Sequence, residues 1–282
     1  MADTRVVLIT GATGKQGGAV ARHLRGKGFK IRAMTRKVDS DAARALAAAG
    51  AEVVQGDLND AASLEAALTG AWGVFGVQNT WESGVEGEEE QGKRLATMAR
   101  QAGIQHFVYT SVGSAHRQTG IPHFENKWRI EETIRGLGFP SRVIIRPVFF
   151  MENLTSPWFL NGDNLCAALD PKTVLQMIAV DDIGKFGARA FTDASALNGR
   201  EIDLAGDAVT MPQAATILSG SLGRTIHFVR VPIEEVRKNS EDFAVMLEWF
   251  DRVGYNADIA GLEREFGIQA TKLADWAGRQ SG

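Results

Sequence analysis

The residues RVVLIT (5–10) run straight into GATGKQGG (11–18), and this junction limits the architecture more than any other segment. A short apolar run of this kind reads as a buried strand. Gly11, Gly14 and Gly17 follow it as G-x-x-G-x-x-G and open a segment with helical spacing at Val20 and Leu24. Gly11 permits the tight turn, Gly14 lets a pyrophosphate approach the backbone, and Gly17, with Gly18 beside it, lets the helix lie close on the sheet. Free backbone N–H groups at the helix start then face an anion. Thr13, Lys15 and Gln16 are the candidate side-chain contacts of this loop. A glycine turn without a ligand is the plain alternative; the strand and helix on either side favour dinucleotide binding.

The same unit repeats through the first half. The pattern predicts further strands at 29–35, 51–57, 72–78, 106–112 and 141–148, with helices at 15–28, 40–50, 60–70, 87–103 and 126–138. Apolar strands alternating with amphipathic helices imply a parallel sheet covered on both faces, an α/β fold of the doubly wound type. Ligands of such sheets bind beyond the carboxyl ends of the strands, where the strand order reverses. After Val148 the pattern loosens. A strand and helix are expected over 174–191, then strand, helix and strand, and a mostly helical stretch at 234–278. We therefore expect a dinucleotide-binding domain at 1–150 and a smaller α+β lobe at 151–282 over the binding cleft, with the chain crossing back to the sheet near 174–205.

Charge narrows the function classes. The 31 basic and 34 acidic residues give a net charge of −3, with no polybasic tract. Nothing here points directly to nucleic acid or to a membrane surface. The single cysteine, Cys166, excludes an internal disulfide, fits a reducing compartment and is expected to be buried. No apolar run approaches the roughly 20 residues of a membrane span, and MADTRVVLIT does not read as a signal peptide. The expectation is a soluble cytoplasmic protein. The histidines at 23, 106, 116, 123 and 227 show no metal-ligand spacing, so no metal is expected.

The end of the second strand addresses which nucleotide binds. A free ribose 2′-hydroxyl calls for an acidic residue there. The segment reads AMTRK instead, and Arg36 is suited to grip a 2′-phosphate in bidentate fashion, with Lys37 beside it. NADP(H) is the cofactor expected. Asp57 and Leu58 follow the third strand, where the aspartate either reads an adenine amino group or holds a turn. Gln78, Asn79 and Thr80, with Trp81, follow the fourth strand and are expected near the nicotinamide half. Val148, Phe149, Phe150 and Asn153 follow the sixth and are candidates for the nicotinamide face. With Trp158 and Phe159 they either form a rim for a flat, aromatic or quinone-like substrate or close the interface between lobes. Glu86, Glu88, Glu89 and Glu90 read as a solvated helix start.

Taken together, GATGKQGG, TRK, VVQGDLND, the H-x-x-x-K of PHFENKW and the later ENL resemble the NmrA-like, HSCARG-like branch of the short-chain dehydrogenase/reductase superfamily. The similarity runs to about Leu154 and continues more weakly in AVDDIG (179–184). It implies a Rossmann domain with a small C-terminal lobe and a bound NADP(H). It implies one of two roles: a regulator or redox sensor acting on a partner protein, or a reductase of quinones or conjugated double bonds. Catalytic members of the superfamily place a serine after the fifth strand, then Tyr-x-x-x-Lys. Here Ser111 holds the serine position, with Thr110 as an adjacent hydroxyl, and Lys127 the lysine position. His123 stands where the tyrosine would be. A neutral imidazole donates a hydrogen bond but is a poor acid. The resemblance thus implies a cofactor clamp at Lys127 and the loss of the usual proton donor.

Overall fold

The computed structural model describes residues 4–280. The chain forms two compact units, one of residues 1–111, 126–146 and 183–202, the other of residues 112–125, 147–182 and 203–282.

In the first unit β1 (Arg5–Ile9), α1 (Lys15–Leu24), β2 (Phe29–Thr35), α2 (Asp41–Ala48), β3 (Glu52–Gln55) and α3 (Ala61–Leu68) alternate as the periodicity demands. The series continues with β4 (Gly73–Gly76), α4 (Thr80–Gln101), β5 (His106–Thr110), α5 (Pro122–Gly136), whose residues 122–125 belong to the second unit, and β6 (Ser141–Pro147), whose last residue does too. Local chemistry sets the ends of the helices. Ser40, Asp60 and Asn79 accept hydrogen bonds from Ala43, Ala62 and Trp81 N–H and so cap α2, α3 and α4. The spans differ from the pattern in two places. α4 begins at Thr80 rather than 87, because Asn79 caps a first turn that Gly84 (φ +74°) then kinks away from the helix body. α5 begins at Pro122, since proline suits the first position of a helix, and this draws His123 into its first turn.

The sheet order is β11-β6-β5-β4-β1-β2-β3, where β11 is Glu201–Leu204. Neighbours β1–β2, β2–β3, β1–β4, β4–β5 and β5–β6 all pair parallel. The order runs outward from β1 in both directions, so the carboxyl ends of β1 and β4 flank the switch point. Thr10 binds them together: its hydroxyl accepts from Val77 N–H at 2.9 Å and donates to Val77 C=O at 3.0 Å. Leu8, Val74, Leu95, Phe107, Tyr109 and Ile144 are among the buried core of one face. On the sheet's amino-terminal side, His106 is fully buried, stacked on Trp72 at 5.5 Å and edge-on to Phe191 at 5.3 Å. Its Nε2 lies 2.9 Å from the Ala190 carbonyl, which puts the proton on that nitrogen. Burial pushes the imidazole down to about 4.

The second unit is built of small sheets and helices. β7 (Phe149–Phe150), β10 (Val174–Ile178) and β12 (Asp207–Thr210) make one sheet; β8 (Leu160–Asn161), β9 (Asn164–Ala167) and β13 (His227–Arg230) make another. α6 (Val180–Thr192) leads the chain back to the first unit. α7 (Met211–Leu222), α8 (Ile233–Asn239), α9 (Glu241–Arg252), α10 (Ile259–Phe266) and α11 (Leu273–Gly278) complete the chain. α7 starts with a full capping box between Thr210 and Gln213. Phe149, Phe159, Trp249, Phe250 and Trp276 lie in its apolar core. Cys166, expected to be buried, is half-exposed in β9, because β9 belongs to a small sheet with one face outward. Among the described residues no helix is long and apolar enough to cross a membrane.

Candidate functional site

The glycine loop between β1 and α1 takes the form its sequence predicts. Gly11 sits at φ +56°, the left-handed region that favours glycine. A Cβ on Gly17 would fall 2.4 Å from the Gly11 carbonyl oxygen, so only glycine lets α1 start this close to the turn. Gly14 is the N-cap of α1, and no side chain caps it. The N–H groups of the first turn are therefore left for an anion. Thr13, Gly14 and Lys15 are exposed along this loop. Gln16 is engaged, accepting at Oε1 from the Thr110 hydroxyl at 2.7 Å.

The sheet order sets β4 beside β1 and β5 beside β4, which brings Gln78 and Ser111 to the same edge. Gln78 is buried, and neither end of its amide has a hydrogen-bond partner. Ser111 Oγ is likewise buried and unpartnered, whereas neighbouring Thr110 is engaged. Buried polar atoms are normally satisfied, and each exception asks for an explanation. Three such atoms at the edge where a doubly wound sheet binds its ligands suit a polar ligand.

At the end of β2, Arg36 is 64% exposed, and its Nη2 donates to Glu82 Oε2 at 2.6 Å. Asn79 Nδ2 donates to the other oxygen of that carboxylate at 3.1 Å. Lys37 is exposed beside it. After β3, Asp57 accepts from Asn59 N–H at 2.8 Å and so holds a turn, with Leu58 half-buried.

Lys127 is buried, and its Nζ lies 2.8 Å from Glu88 Oε1. Glu88 is also buried and accepts from Asn126 Nδ2 at 3.0 Å and from the Thr80 hydroxyl. Burial pushes its carboxyl up, but the Lys127 charge and these three donors outweigh that and hold it below the usual carboxylate range. The ammonium also stands 5.6 Å from the centre of the Tyr109 ring. The Tyr109 hydroxyl is fully buried and unpartnered, and burial, with Glu88 and Glu131 nearby, raises it well above the ordinary phenol range. Glu88 is therefore no part of a solvated helix start. It lies on the buried stripe of α4 with Gly92, Leu95, Ala96 and Ala99, a spacing of three and four that the sequence displays. Gly92 permits this, because a Cβ there would fall 2.5 Å from Ile130 of α5.

In the second unit, His123 Nδ1 pairs with Asp242 Oδ1, and both side chains are mostly buried. Val148 is buried, Phe150 and Asn153 are half-buried, and Phe149 packs edge-on to Phe159 at 5.3 Å. Phe149 and Phe159 thus belong to this unit's core rather than to an open rim, while Trp158 is 81% exposed.

The sequence profile of the NmrA-like family matches residues 3–279. The chain belongs to the NmrA-like family. It is 31% identical over 252 residues to the NmrA-like family domain-containing oxidoreductase hkm9 of Aspergillus hancockii, covering 80% of this chain and 75% of that protein. It is 38% identical over 161 residues to the oxidoreductase FrzB of a Cladobotryum species, 53% of this chain and 48% of the relative. The chain thus spans about half the length of that relative, as of others it matches. Among solved structures, the NADPH-dependent quinone oxidoreductase QOR2 of Escherichia coli, complexed with NADPH, superposes with a TM-score of 0.80 at 25% identity, covering 98% of this chain and all of that one. NmrA, a negative transcriptional regulator, in complex with NADP, gives a TM-score of 0.80 at 22% identity over 98% of this chain and 95% of that one, a likeness of fold.

Within this NmrA-like chain, sequence reasoning missed the partners that hold the candidate residues. Glu82 on Arg36, Glu88 on Lys127 and Asp242 on His123 carry no motif of their own.

Proposed function

We propose that this protein binds NADP(H) at the switch point between β1 and β4 and acts as an NADP(H)-responsive regulator. The observation that carries the reading is the pairing of an uncapped helix start behind the glycine loop with Gln78, buried and unpartnered at both ends of its amide, on the same sheet edge. These residues fit the cofactor. The N–H groups in the first turn of α1 would hold the pyrophosphate, Arg36 the 2′-phosphate, and Gln78, Ser111 and Lys127 the ribose and amide of the nicotinamide half. An acid at the end of β2, the usual partner of an unphosphorylated ribose, is missing. When bound, NADPH would supply a hydride. The regulatory reading rests on the missing tyrosine. His123 stands in its register with one ring nitrogen committed to Asp242, and the Lys127 ammonium gives one of its donors to Glu88.

The second reading is an NADPH-dependent reductase of a quinone or conjugated carbonyl. It is favoured by the full-length likeness to QOR2, which is NADPH-dependent and acts on quinones by its name, and by relatives named as oxidoreductases. Hydride transfer to a quinone needs little help from an acid. Titration with NADPH and NADH tests the binding, with Gly14→Val as control. A Cβ at Gly14 meets the Gly11 carbonyl oxygen at 3.3 Å, a tight contact, so circular dichroism must show the variant folded before lost binding is assigned to a side chain in the way of the phosphates. Retained NADPH binding by that variant would place the site elsewhere. Steady-state NADPH oxidation against quinones and enones then separates the two readings. Turnover of roughly 1 s⁻¹ or faster would favour the reductase.

A further inference from the structure

Arg36, assigned above to the 2′-phosphate, already holds a carboxylate of this chain. Glu82 places one oxygen 2.6 Å from Arg36 Nη2 and the other 3.1 Å from Asn79 Nδ2. A phosphate oxygen pair gripped by a guanidinium and an amide would draw on the same donors. Glu82 does not belong to the body of α4. It sits in the first turn, which Gly84 separates from the rest of the helix at φ +74° and ψ 171°. A Cβ at Gly84 would meet nothing within 4 Å, so the glycine answers the backbone conformation and not a steric need. The turn that carries Glu82 is thereby set off from the helix at a residue whose backbone tolerates other conformations. The pair is open to water, Arg36 at 64% and Glu82 at 56%, so exchanging one anion for another costs little desolvation.

We propose that Glu82 is a specificity-determining residue, an internal stand-in for the 2′-phosphate that a 2′-phosphorylated adenosine must displace from Arg36. This rests on the NADP(H) reading above. Its consequence is particular to the phosphate: Glu82 weakens ligands that carry a 2′-phosphate and leaves those without one nearly untouched. The carboxylate both occupies the guanidinium and repels a dianion brought within a few ångströms of it.

Calorimetric titration of the full chain and its Glu82→Gln variant tests this with two matched pairs, NADPH against NADH and adenosine 2′,5′-bisphosphate against AMP. Glu82→Gln is expected to tighten NADPH and the bisphosphate by about three- to tenfold, the reach of a surface pair plus like-charge repulsion. NADH and AMP are expected to change by less than about twofold, as for a remote surface substitution. In an Arg36→Ala background the same substitution should give a smaller phosphate-dependent gain, because competition for the shared receptor is gone and only the repulsion is left to relieve. Unchanged NADPH affinity in Glu82→Gln, or equal tightening of all four ligands, would overturn the proposal while leaving cofactor binding intact. A wild-type chain that binds none of the four would overturn the cofactor reading itself, and this inference with it.

Discussion

Two ion pairs in the first unit have nearly the same geometry and opposite surroundings. Arg36–Glu82 closes at 2.6 Å with both side chains more than half exposed; Lys127–Glu88 closes at 2.8 Å with side chains 10% and 1% exposed. The first sits in water, where either ion can be solvated alone, so it is exchangeable. The second has no such refuge: each ion depends on the other and on Asn126 and Thr80. Distance alone therefore says little about what a charge pair does. The surroundings make the first pair exchangeable with an incoming anion and hold the second in place.

Removing one partner from each pair is the strongest attempt to break this contrast. Glu88→Ala strands a buried ammonium and should destabilise the protein by about 3–5 kcal/mol. Glu82→Ala should cost less than about 0.5 kcal/mol. Urea unfolding of the two variants reads the difference, and equal losses would erase it. Replacing both Glu88 and Lys127 with uncharged residues of similar size should recover much of the larger loss.

His106 extends the comparison to a buried titratable group whose hydrogen-bond partners are neutral, with the Arg5 charge adding to the effect of burial. It charges near pH 6.5 in the unfolded chain but only at about 4 in the fold. Between those values the unfolded chain binds more protons, so the contribution is complete above about pH 6.5 and is lost as pH falls toward 4. The loss should approach about 3 kcal/mol. Unfolding free energies of wild type and His106→Gln at pH 7 and 4.5 check this; a variant with the wild-type slope would assign the slope to other groups. Glu88 and Glu201 both lie below the ordinary carboxylate range, so they add stability that is present at neutral pH and fades only at lower pH still.

The smallest effect on folding belongs to Arg36, and it sharpens the contrast by dividing stability from binding. Arg36→Ala should leave unfolding within about 0.5 kcal/mol of wild type. The same variant should weaken NADPH by about 1.5–3 kcal/mol while NADH stays nearly unchanged. A stability loss matching the binding loss would mean that the pair is structural after all.

Much of the architecture was legible before any coordinates, for a local reason. The glycine turn, the caps at Ser40 and Asp60 and the apolar runs of the strands are each set by a few consecutive residues. The helix starts at Thr80 and Pro122 were read late. Asn79 is a cap without an apolar run behind it, and the segment that carries the helical pattern of α5 begins at Asn126, past Pro122. The burial of Glu88 was legible in principle from its spacing to Gly92 and Leu95, and the acidic run around it hid the signal.

The sequence by itself determined that a strand, a left-handed glycine and an uncapped helix start meet after residue 10, and that a cation rather than an acid ends the second strand. These depend on backbone dihedral preferences and side-chain identity, which act over one or two turns. Only the tertiary structure decided which carboxylate answers each cation. Glu88 reaches Lys127 because Gly92 lets α4 and α5 approach, and His123 meets Asp242 from 119 residues away. A charge's partner and its exposure follow from how distant segments pack, and those two together decide whether the charge is free to take a ligand.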